Sequence, residues 1–68
     1  MRLLKKHVGR YCTARFDDIG NVDGILVDIN TKFKWAEVFL LSDSVLNTVD
    51  FNQVVDVRNW VLSDRKVV

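Results

Sequence analysis

Val49-Asp50-Phe51-Asn52-Gln53-Val54-Val55-Asp56-Val57 is the stretch whose reading decides the fold. Its two ends are valine-rich. β-Branched side chains suit a pleated, half-buried surface and lose rotamer freedom in a helix. Between them, Asp50 stands where a carboxylate can cap the free N–H groups of one helical or 3₁₀ turn. The stretch predicts a strand closing at Val49, a single turn over 50–53, and a fifth strand over Val54–Val57.

Upstream, the same alternation recurs between turn residues. Val45–Val49 reads as the fourth strand, preceded by the turn Ser42-Asp43-Ser44. The third runs from about Lys34 to Leu41, with Ala36, Val38 and Leu40 alternating against Trp35, Glu37, Phe39 and Leu41. Asn30-Thr31-Lys32 is the turn before it. The second strand is Val22–Ile29, with Ile25, Val27 and Ile29 on one face and Leu26 and Asp28 on the other. Asp17-Asp18-Ile19-Gly20-Asn21 is a loop of residues that tolerate turn geometry. In the first strand, small and apolar Cys12, Ala14 and Phe16 are expected inward, as fits the concave side of a small barrel. Residues 1–7 read as a basic arm or a short helical turn, 8–57 as the barrel, and 58–68 as a tail or a sixth, edge strand carrying Trp60-Val61-Leu62.

Composition agrees with an all-β domain. Twelve Val, three Ile, three Thr, four Phe, two Trp and one Tyr stand against two Ala, one Glu and one Gln. At 68 residues the chain is one domain, 1–68, too short for separate cofactor and substrate domains. With 49% apolar residues it is not a disordered tail. Cys12 is the only cysteine, so no internal disulfide forms, and a reducing cytoplasmic setting is expected. No apolar run approaches the roughly 18 residues of a membrane span, and residues 1–7 do not read as a signal peptide.

Five short strands with one helical turn before the last resemble the SH3-like small barrel, over roughly residues 8–57. The 49–57 stretch resembles the 3₁₀-turn-then-strand ending of such barrels. Gly9-Arg10-Tyr11-Cys12-Thr13-Ala14-Arg15-Phe16-Asp17-Asp18 is similar to the first strand of Tudor-type members. The aromatic cage of Tudor readers, the Pro and Tyr/Trp pattern of peptide-binding SH3 domains and the glycine signature of KOW and Sm modules are not found. The resemblance implies a five- to six-stranded barrel and no particular activity. An OB-like barrel is the alternative architecture.

The chemistry-bearing residues do not assemble into a catalytic set, and no enzyme, metal or cofactor is expected. His7 lies five residues from Cys12, but a core-facing thiol is a small hydrophobe rather than a nucleophile. Asp17, Asp18, Asp23 and Asp28 read first as turn and loop residues, and no Glu closes a calcium loop. Gly9, Gly20 and Gly24 match no phosphate-loop spacing.

Two surfaces remain. Net charge is only +1, yet charge is segregated along the chain: five bases and no acid in residues 1–16, four acids and no base in 17–31. If the termini meet, Arg2, Lys5, Lys6, Arg10, Arg15, Arg58, Arg65 and Lys66 make one electrostatic patch. In the third strand, putting Ala36, Val38 and Leu40 inside leaves Trp35, Phe39 and Leu41 outside, joined by Leu26 or covered by Trp60. Trp35, Phe39, Leu41 and Trp60 are therefore the expected partner-binding residues, since aromatic anchors dominate interfaces. The leading expectation is a protein-binding barrel that serves as adaptor, subunit or inhibitor of a larger partner. By analogy of size, a phage or mobile-element origin fits. The first alternative is a nucleic-acid-binding barrel using the basic patch, with Tyr11, Phe33, Trp35 and Trp60 as stacking platforms. The second is a homo-oligomer with its site at the subunit interface.

Overall fold

The computed structural model describes residues 2–61, and side chains through Asn59. Five strands form one antiparallel sheet: β1 (Arg10–Phe16), β2 (Gly20–Asn30), β3 (Trp35–Leu40), β4 (Val45–Asp50) and β5 (Val54–Val61). Their order is β4-β3-β2-β1-β5. A 3₁₀ turn, Lys5–His7, precedes β1, and another, Phe51–Gln53, joins β4 to β5.

That second turn forces the sheet to curl. β4 and β5 stand at opposite ends of the strand order. Four inter-strand spacings of a flat sheet would part them by about 19 Å. Three residues in 3₁₀ conformation advance only about 6 Å. The ends must therefore swing toward each other, and Val49 of β4 and Val54 of β5 share one core cluster with Leu26 and Val38. Cys12, Ala14, Leu26, Ala36, Val38 and Val54 are fully shielded from solvent.

The alternation expected in β1 and β3 is seen: Cys12 and Ala14 are buried with Phe16 half-buried, and Ala36, Val38 and Leu40 are buried. In β2 it fails. Leu26 and Ile29 are buried and Val27 is exposed, so neither the Ile25/Val27/Ile29 face nor the exterior placement of Leu26 survives. The cause is a register shift between Leu26 and Asp28 on the β3 side, where the extra Val27 has no partner. A bulge moves every later side chain to the other face. It lets one long strand pair first with β1 and then with β3. At the crossover Gly24 pairs with both Cys12 and Leu40, and an added Cβ would lie 2.6 Å from the Phe39 carbonyl oxygen.

Two boundaries also move. The fifth strand does not stop at Val57: it continues to Val61, so 58–61 belong to β5 rather than to a sixth strand. Residues 62–68 lie outside the described residues. The arm is anchored, because Leu3 is 1% exposed and belongs to the core, while Gly9 N–H donates to the Leu26 carbonyl.

Candidate functional site

Residues directly opposite in an antiparallel ladder share a face. On the outer face Tyr11 stands opposite Ile25, Ile25 opposite Phe39, and Phe39 opposite Leu46. One apolar row thus crosses four strands. Tyr11, Ile25 and Phe39 are half-buried, and Leu46, at the sheet edge, is 51% exposed. Leu41, in the β3–β4 turn, is nearly half exposed, as is Val45, which stands opposite the buried Leu40 and so opens β4 on the inner face. Behind the row, polar pairs take over: Glu37 opposite Thr48, then Trp35 opposite Asp50 and Asn30.

Trp35 and Phe39 do share the outer face, though both are half-buried by their cross-strand neighbours. Leu41 has left the strand and lies in the turn, its N–H donating to the Asp23 carbonyl. The Trp60 side chain lies outside the described part of the structure. Leu46 and Ile25 complete the row; alternation places each on a face, but only the register aligns them with Phe39.

β4 is a sheet edge with a ladder partner on one side only among the described residues. Its register with β3 runs without a shift from Leu40↔Val45 to Trp35↔Asp50. It carries no Lys, Arg or Pro. The usual protections of an edge strand, basic side chains, proline and bulges, are therefore missing from it.

Of the expected basic patch, the structure separates Arg10 from Arg15 and pairs Arg58 with its neighbours. Arg10 and Arg15 sit at opposite ends of β1, roughly 17 Å apart at strand rise. Arg10 is half-buried, with its Nε shielded and without a hydrogen-bond partner among the described residues. Arg58 is not a free cation: its guanidinium donates to Thr13 Oγ1 at 2.9 Å and to Asp23 Oδ1 at 3.1 Å. Thr13 also donates to Asp23, which ties β1, β2 and β5 on the outer face. The Thr13 hydroxyl and then the Arg58 guanidinium hold the Asp23 carboxyl below the usual range. Arg2, Lys5 and Lys6 are exposed at the N-terminal end. Arg65 and Lys66 lie outside the described residues.

The fold engages both Cys12 and His7. Burial pushes the Cys12 thiol up to about 11, which keeps it protonated at neutral pH. His7 Nδ1 accepts from the Leu4 N–H at 3.0 Å, closing the first 3₁₀ turn. Desolvation, then the Arg10 and Lys6 charges, lower its pKa, so the ring stays neutral there. Among the described residues no three His, Cys, Asp or Glu side chains gather as a metal site, and no helix is long and apolar enough to cross a membrane. Compared with family models, curated proteins and solved structures, the chain finds no match in any of the three.

Proposed function

We propose that this chain is a protein-binding module, and that its partner, a larger protein, docks on the β4 edge and the outer apolar row. The observation that carries this reading is the pairing of an unprotected edge strand with Leu46, Phe39 and Leu41 beside it. An exposed edge offers backbone donors and acceptors to an extended segment, and side-chain contacts beside it supply selectivity. Exposed leucine and half-buried phenylalanine provide the apolar anchor. An adaptor, subunit or inhibitor role follows from occupation of a partner's surface rather than from chemistry.

The test compares the wild-type chain with Leu46→Lys, which places a charge on the edge without touching the core. The wild type should capture a partner from its own cell, and Leu46→Lys should not, with both melting alike by circular dichroism. Light scattering across concentration runs in parallel. Self-association abolished by Leu46→Lys would make a second copy the partner in place of a larger protein. Equal capture by both chains would overturn the reading.

A further inference from the structure

One end of the sheet holds a feature the protein-binding reading does not use. A cleft of about 460 Å³ is lined by Arg2 and Leu3 of the N-terminal segment, Thr31 and Lys34 of the β2–β3 turn, and Phe51 and Asn52 of the second 3₁₀ turn. A second hollow of about 210 Å³ shares Lys34, Phe51 and Asn52 and extends to Phe33 and Asp50. Together they make a groove in the size range of small-molecule sites.

Its chemistry is sorted along its length. Arg2 and Lys34 line the first part, and the ion pair seen among the described residues, Arg58–Asp23, leaves both without an acidic partner. Phe33 borders the second part with 67% of its surface exposed. Lys32 Nζ sits 5.5 Å from its ring centroid, so the ring already receives a cation on a face. Asp50 adds a carboxylate at the Phe33 end. A doubly cationic seat beside an exposed ring and a hydrogen-bond acceptor fits a phosphate joined to a planar, amine-bearing base. An anion alone would leave Phe33 unused, and an apolar ligand would leave two cations desolvated.

The turn itself is specified for this. Asn30 Oδ1 accepts from the Lys32 and Phe33 N–H groups, and Lys34 N–H donates to the Asn30 carbonyl. This closes the turn with Lys34 at φ 61°, a conformation that suits glycine. The Lys34 carbonyl then accepts from Phe51 N–H, fastening the turn to the opposite wall. A lysine is thus held in left-handed backbone where glycine would be easier, at a position that lines both parts of the groove.

We propose that this groove binds a nucleotide unit, its phosphate between Arg2 and Lys34 and its base on Phe33. The unit comes either from a free mononucleotide or from a single-stranded nucleic acid. The site is separate from the apolar row and does not depend on the protein-binding reading.

The full chain is titrated with inorganic phosphate, with adenosine monophosphate and with a labelled single-stranded octadeoxyadenylate, at low and moderate salt. Either nucleotide probe should bind at least about tenfold tighter than phosphate, since base stacking on an aromatic ring contributes that much. Comparable affinity for mononucleotide and octamer assigns the free nucleotide; measurable binding of the octamer alone assigns the strand. Lys34→Gly should weaken nucleotide binding about tenfold while the thermal midpoint holds or rises, because the left-handed strain is relieved. Phe33→Ser should weaken nucleotide but not phosphate binding. Lys6→Ser, a cation outside the groove, should change little. Equal losses from Lys6→Ser and Lys34→Gly would show diffuse charge attraction and overturn the site. So would unchanged binding in Phe33→Ser, or no binding of either nucleotide probe at millimolar concentration.

Discussion

β1 and β4 differ in a way their compositions invert. β1, Arg-Tyr-Cys-Thr-Ala-Arg-Phe, reads as half polar, yet Cys12 and Ala14 are wholly shielded. β4 opens Val-Leu, yet Val45 and Leu46 are about half exposed and only Val49 is buried. Among the described residues β1 has a neighbouring strand on both sides and β4 on one. Burial in so small a sheet therefore follows strand position more than side-chain apolarity. The apolar residues on that edge are the ones the proposed protein-binding role would use.

The contrast is sharpest in paired substitutions. Leu26→Ala, beneath the middle of the sheet, should cost about 3 kcal/mol, enough to consume much of the margin of a domain this small. Leu46→Ala at the edge should cost within about 0.5 kcal/mol, as an ordinary surface change does. Urea denaturation of both variants measures the difference, and equal costs would break the comparison. Gly24→Ala comes next, at about 2 kcal/mol, because the new methyl meets the Phe39 backbone and Val38 Cγ1 rather than a flexible chain end. It should also loosen β4 indirectly, through β3, as faster amide exchange.

Cys12→Ala should cost about 1 kcal/mol through lost buried volume. In the native wild type the thiol, raised to about 11 by burial, should react with a thiol reagent only as fast as the domain opens. Rapid modification would mean that β1 is not the shielded strand.

The smallest effects are titrations. The lowered Asp23 pKa stabilises the fold above the ordinary aspartate value, and that contribution is lost as pH falls through the folded value. Asp23→Asn should flatten the acid side of the stability curve. The lowered His7 pKa has the opposite chemical origin but the same direction. Below the ordinary histidine value of 6.5 the unfolded chain takes up a proton that the folded turn resists, so stability declines as pH drops from there. His7→Ala should remove that slope and leave the Asp23 slope in place, as read by thermal midpoints between pH 7 and pH 3.

By itself the sequence determined the all-β class, the turn over 50–53, the inward face of β1 and the alternation of β3. Local rules suffice there: alternation has a period of two, and Asp50 precedes a turn too short for an α-helix. That Trp35 and Phe39 share one face was legible for the same reason, but which face of β3 turns outward was decided by the fold, which buries Ala36, Val38 and Leu40. Only the tertiary structure decided the rest. The Val27 bulge carries no residue signature, because it arises from one strand serving two partners that lie on different sides of it. The burial of Leu3, the extension of β5 to Val61, and the capture of Arg58 by Thr13 and Asp23, 45 and 35 residues away, depend on segments distant in the chain. The groove is likewise non-local. Arg2, Lys34 and Asn52 are each ordinary surface residues in sequence, and they become one site because the short 50–53 connection curls the sheet and brings three distant segments to the same end.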